Sequence, residues 1–217
     1  MVREKYVQQL DSVKDDLAEL GEQVCSMFSL SGKCIEKWDK AGQRKVVAMA
    51  SQANRKFVSI EEKCLQMLAR QQPVASDLRF ITSSLHAARK LERCANYASE
   101  IAQTMLLLRT RITVGLPEFS SMGKTAEGAL RIAVRGFVEK DMALSKEVVE
   151  LEKENDESQR ILLEKLKGQA QKGRQSAEVA FRAYMISKYL ERAADNAIRI
   201  TNATGYMVTG DRKYLLD

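Results

Sequence analysis

The chain has 217 residues, 45% of them hydrophobic, with 2 prolines, 4 cysteines and a formal net charge of +6. That length buries a core without help from disulfides, and few prolines and aromatics beside abundant Ala, Leu, Glu, Lys and Arg point to an all-α chain. No apolar stretch follows the basic residues of MVREKYVQQLD and no run approaches the roughly 18 apolar residues of a membrane span, so a cytoplasmic protein is expected.

From Tyr6 the apolar residues run Leu10, Val13, Leu17, Leu20, Val24 and Met27, alternating steps of three and four as in a long helix packed on near-parallel neighbours. After a break near Asp39–Gly42 the same spacing returns through Val46, Ala50, Ala53, Phe57, Ile60, Cys64 and Met67. This second helix is expected to end at Gln72, because Pro73 cannot continue it and suits the first turn of the next. A third helix follows through Leu78, Ile81, Leu85, Ala88, Leu91, Ala95, Ala98, Ala102 and Met105. The stretch from Arg109 to Ser121, with Gly115 and Pro117, has no period and reads as a linker. Beyond it Asp141 can cap a helix as Asp39 can, a break falls at Gly168 to Gly173, and Val179, Ala183, Ile186, Leu190, Ala193, Ala197, Ile200, Thr204 and Met207 mark a long last helix.

Six helices in two sets of three result, and the second set repeats the first. LERCANYASEI from Leu91 and LERAADNAIRI from Leu190 agree at six of eleven positions, 99 residues apart, while Asp39 and Asp141 are 102 apart. The expected architecture is two tandem three-helix repeats, residues 1–108 and 119–217, joined by a linker at 109–121 and related by an internal pseudo-twofold.

The basic excess is uneven. Residues 1–40 carry −2, whereas residues 41–72 carry +4 through Arg44, Lys45, Arg55, Lys56, Lys63 and Arg70. Those six cations lack the interleaved aromatics that base stacking wants, so a solvated helix face or a docking face for an acidic partner is expected in place of nucleic-acid binding. Cys25, Cys34, Cys64 and Cys94 have no close Cys or His partner and read as buried, reduced thiols.

Two acidic pairs at four-residue spacing stand out in the second half, Glu152 with Asp156 and Glu191 with Asp195. Each pair projects from one helix face beside the apolar seam, so adjacent antiparallel helices would bring four carboxylates onto one patch. Such a patch suits a hard cation. Lys153, Arg160, Lys188, Arg192 and Arg199 lie on the same helices, however, and salt bridges to them would account for the acids equally well. The single histidine, His86, lacks the Glu three residues before it that di-iron helices carry, and neither a Gly-rich phosphate loop nor a nucleophile elbow is present, so no enzyme is expected.

The segment QQPVASDLRFITSSLHAARKLERCANYASEI resembles the PhoU family, whose repeat carries Q-x-P-x-A-x-D-L-R followed by L-E-R-x-x-D; Gln71, Pro73, Ala75, Asp77, Leu78 and Arg79 match position by position. The likeness extends to the duplicated three-helix plan and the ending TGDRKYLLD. It implies two acidic motifs per repeat that hold a surface metal cluster, iron or zinc foremost, with Mg, Mn or Ca as further candidates. In the second repeat these fall on Glu152/Asp156 and Glu191/Asp195. In the first the corresponding positions are Ala50, Asn54, Glu92 and Asn96, where alanine cannot ligate and asparagine offers only a neutral carbonyl, so metal is expected mainly on the second repeat. The resemblance further implies a homodimeric cytoplasmic regulator of phosphate uptake and phosphate-starvation signalling. Its implied partners are the ATPase subunit of a phosphate ABC transporter and a phosphate sensor kinase, with membrane contact only through them. A metal-binding scaffold or buffering protein of the same fold, without a phosphate role, is the alternative reading.

Overall fold

A computed structural model describes residues 2–211, so the family-like ending falls mostly outside the described residues. It contains six α-helices: α1 (Val2–Lys37), α2 (Lys40–Gln71), α3 (Ala75–Leu107), α4 (Leu116–Glu139), α5 (Ser145–Ala170) and α6 (Arg174–Thr209). Among the described residues there is no strand, and no helix is long and apolar enough to cross a membrane.

The heptad positions are the ones that disappear from solvent. Val13, Leu17, Leu20, Val24 and Met27 of α1 are at most 1% exposed, and Ile186, Leu190, Ala193, Ala197 and Ile200 of α6 are buried in the same way. The three-to-four alternation keeps these residues on one stripe, and burying that stripe supplies most of the stability of helices this long. Leu78 departs from the expectation. It remains 42% exposed, lining an open groove between α3 and α6.

Helix packing follows a symmetric scheme. α1 packs on α2, α3 and α4; α6 packs on α5, α4 and α3; α2 also touches α3, and α4 touches α5. Exchanging α1 with α4, α2 with α5 and α3 with α6 maps this set of packed pairs onto itself, as a pseudo-twofold requires. α1, α3, α4 and α6 form the middle of the molecule, while α2 and α5 lie outside at opposite ends. One apolar core runs through both sets of three. At the α1/α4 crossing Gly21 allows close approach, since a Cβ there would stand 2.7 Å from Val134 Cγ1.

The boundaries need three corrections. Residues 116–121 belong to α4, leaving 108–115 as the connection, and Leu108 and Ile112 within it are buried in the core. Gly115 turns the chain into α4 with φ +77°, and its hydrogen-only side leaves room for Leu162, whose Cδ1 would lie 2.1 Å from a Cβ. Pro73 sits in the connection between α2 and α3, whose first helical residue is Ala75. Asp39 caps α2 by accepting from the N–H groups of Ala41 and Gly42 at 3.0 Å each, whereas Asp141 accepts from Ala143 at 2.8 Å in a turn that precedes α5.

The basic face of α2 is not simply solvated. Lys56 and Lys63 both reach Asp16 on α1, Lys56 at 3.0 Å, and Lys56 also pairs with Glu19, so the acidic first helix neutralises part of the second. Burial would raise the Asp16 pKa, but hydrogen bonds from Lys63 and Lys56 outweigh it and the net direction is down. All four cysteines are buried and free; burial pushes Cys25, Cys64 and Cys94 up to about 12, which leaves them unreactive thiols.

The Q-x-P-x-A-x-D-L-R segment has a structural role at one end of the bundle. Asp77 lies in the first turn of α3, where exposed N–H groups favour an anion. Arg79 Nε donates to the Met207 carbonyl at 3.3 Å, satisfying an acceptor near the C-terminus of α6 and tying the repeats together. Asp77→Ala is expected to lower stability by about 0.3–1 kcal/mol in thermal or urea unfolding while leaving metal content unchanged. Loss of metal at unchanged stability would contradict that role. Gln71 and Ala75 stand exposed and Pro73 half-exposed.

Candidate metal site and family

The two acidic pairs of the second repeat come together across the α5/α6 contact. Glu152 is raised above the ordinary carboxylate range first by burial, then by the charges of Asp156, Asp195 and Glu191; Asp156 is raised by burial and Glu191; Asp195 by burial, Glu191 and Asp156. Four acids on two helices thus act on one another, as four-residue spacing on adjacent faces demands.

Salt-bridge lacing accounts for little of this. Lys153 pairs with Glu150 at 3.0 Å and Arg160 with Glu157 at 2.6 Å, away from the four acids. Among the described residues Arg192 and Arg199 make no ion pair. Lys188 makes the one ion pair to the cluster's acids among the described residues, its Nζ lying 2.6 Å from Glu191 Oε2, while the charges of Arg199 and Lys153 offset part of the rise at Asp195 and Glu152 without pairing. At that distance the ammonium already compensates the Oε2 charge. No three His, Cys, Asp or Glu side chains among the described residues already stand in the ligand arrangement of a metal ion. The donor set nonetheless fits a hard cation in kind: it is all oxygen and crowded with negative charge. Binding would require the carboxylates to rotate inward and Lys188 to yield its place.

The first repeat is closed by its own side chains. Glu92 accepts from Asn96 Nδ2 at 2.7 Å, and Arg89 reaches both Glu61, at 3.2 Å, and Glu92, at 3.8 Å, while lying 4.1 Å over the Phe57 ring. Arg89 and Lys188 are repeat mates, 99 residues apart. Asn54 stands exposed on α2, and Ala50 is half-buried against the core. Sequence reading weighed Lys188 among the bases near the acids but overlooked Arg89, the cation facing the first-repeat site; its position three residues before the L-E-R glutamate was the available signal. It also overlooked Asn155 between the acids of the first pair, which is fully buried and donates to the Met122 carbonyl and Thr125 Oγ1 at 2.9 and 2.8 Å, fixing α5 on α4.

The carboxylate cluster predicts a pH dependence. A folded-state pKa above the unfolded value means that the cluster's contribution is fully present below the unfolded pKa and is lost as pH rises through the folded one. Chelator-treated protein should therefore gain stability from this cluster as pH falls from neutral through the raised carboxylate pKa values. Asp16 acts oppositely, losing its contribution only as pH falls through its lowered pKa, and His86, lowered by burial, Lys90 and Arg199, opposes the gain near its own range. Subtracting the melting profile of a Glu152→Gln/Asp156→Asn variant isolates the cluster. A parent and variant with parallel pH profiles would contradict the assignment.

Residues 17–105 and 119–204 each match the family model described as the PhoU domain. The chain belongs to the PhoU family. It is 22% identical over 209 residues to the "Phosphate-specific transport system accessory protein PhoU homolog 1" of Methanothermobacter thermautotrophicus, covering 95% of each chain. It is 26% identical to the Synechocystis sp. protein "Phosphate-specific transport system accessory protein PhoU homolog", covering 97% of this chain and 94% of that one. The crystal structure of PhoU from Pseudomonas aeruginosa superposes with a TM-score of 0.90 at 25% identity, covering 95% of this chain and 100% of that one. PhoU from Streptococcus pneumoniae shares the fold, with a TM-score of 0.86 at 22% identity and coverage of 95% and 98%.

Proposed function

We propose that this chain is an accessory protein of a phosphate-specific transport system, acting by contact with the transporter's ATPase subunit and a phosphate sensor kinase and not by catalysis. The observation that carries this reading is that PhoU domains fill both repeats, while relatives named as accessory proteins of that system match over nearly their whole length. Long helices with exposed faces suit docking, and the cations of α2 left over after Asp16 and Glu19 are paired offer a surface to an acidic partner. The protein works in the cytoplasm as a homo-oligomer, and the second repeat holds iron, zinc or another hard cation at Glu152, Asp156, Glu191 and Asp195.

Deletion of the gene is expected to derepress phosphate uptake at high external phosphate, and the tagged chain should co-purify with the transporter ATPase. Unchanged uptake together with metal-dependent growth defects would favour the metal-buffering scaffold.

A further inference from the structure

The L-E-R motif places an arginine next to each candidate ligand glutamate, and the metal reading leaves both arginines without a task. Arg93 and Arg192 are repeat mates, 99 residues apart. The packing of α3 on α6 brings them to one cleft of about 290 Å³, together with Lys90 and Arg199. Tyr97 and Tyr189 stack across the same helix contact with ring centroids 5.9 Å apart. Neither repeat forms this cleft alone.

The cleft contains four cations and one acid, Asp195. Arg93 is turned onto Tyr97, whose hydroxyl oxygen accepts from Nη2 at 3.2 Å. Among the described residues none of the four cations forms an ion pair, and the two helices carrying them hold more basic than acidic side chains. Lys90, half-buried, faces the charges of both Arg93 and Arg199. Arg93, Arg192 and Arg199 are exposed at the cleft, where solvent screens their mutual repulsion, and the net excess of three positive charges attracts an anion from outside. Three guanidinium forks and one ammonium offer enough donors for the oxygens of a small multivalent oxyanion, where a single carboxylate would leave most of them unused.

We infer that the α3/α6 cleft is a binding site for a multivalent oxyanion of the phosphate class, held by Arg93, Arg192, Lys90 and Arg199. The ion is inorganic phosphate or the exposed phosphoryl group of a larger molecule. The site adjoins the carboxylate cluster through Asp195 but needs no metal.

Calorimetric titration of the full chain after chelator treatment, at constant ionic strength, tests it with inorganic phosphate, a short polyphosphate and acetate as probes. Saturable binding of one phosphate or polyphosphate per chain is expected, with acetate weaker by about tenfold or more. Arg93→Gln with Arg192→Gln should weaken binding by about tenfold or more while the helical circular dichroism stays unchanged. Lys90→Gln provides the second variant should the double one fail to fold. Binding of polyphosphate but not of phosphate would support the site and identify the larger source. Absence of saturable binding by either probe, equal binding of acetate, or undiminished binding by both variants would overturn the inference. Transporter co-purification is a separate readout, so failure here leaves the accessory role standing, and the reverse.

Discussion

Replacing Glu191 and Asp195 together by alanine is expected to remove most of the metal that co-purifies with the chain, whereas Glu92→Ala leaves metal content nearly unchanged. The second repeat brings four carboxylates from α5 and α6 within mutual influence, and three of them are raised by burial and by one another. A cation relieves that repulsion. Once both acids of α6 are gone, Glu152 and Asp156 offer only one helix's ligands, and affinity should fall steeply instead of by half. Glu92 by contrast is already occupied by Asn96 and Arg89, with Glu61 taking the remainder of the arginine's charge. The Lys188 contact adds a sign: Lys188→Gln should raise metal affinity, because the ammonium competes for Glu191. Elemental analysis of protein purified under identical conditions measures all three. Equal losses from the two alanine variants, or metal retained by the double one, would defeat the assignment.

Phe137→Ala is expected to destabilise the whole chain by about 3–5 kcal/mol, in a single transition. Phe137 on α4 is 2% exposed, and its ring centroid lies 6.4 Å from that of Phe80 on α3, so the side chain packs across the two repeats. Truncation removes a large apolar volume at a place where Val134 and Gly21 already bring α4 close to α1, leaving little freedom to collapse. Because the buried residues form one continuous core, the loss should reach both halves together. Urea unfolding followed by circular dichroism should show a lowered midpoint with an unchanged slope. Two separated transitions would show instead that the repeats are independent units.

Most of the helical plan was legible in the residues. Strict three-to-four spacing in α1, α2 and α6 marks a stripe that must be buried, and the 99-residue offset of the L-E-R motifs marks the duplication. Boundaries were less legible, because Pro117 signals a helix start as readily as a linker and a capping aspartate signals only that some turn begins nearby.

Among the acids, spacing determined that Glu152 and Asp156 share a face, as do Glu191 and Asp195, since the helix period fixes which side chains on one helix are neighbours. Which acids the nearby bases reach was also fixed along single helices, since each base pairs with an acid three residues away, and only tertiary structure decided that the two acidic pairs face each other. Lys153 and Arg160 pair with other acids while Lys188 turns to Glu191. The cationic cleft lay further out of reach, because Lys90 and Arg93 stand on a helix about a hundred residues from Arg192 and Arg199. Periodicity tells which face of a helix is buried, but only the packing of α3 on α6 decides what that face, and the charges at its edge, will meet.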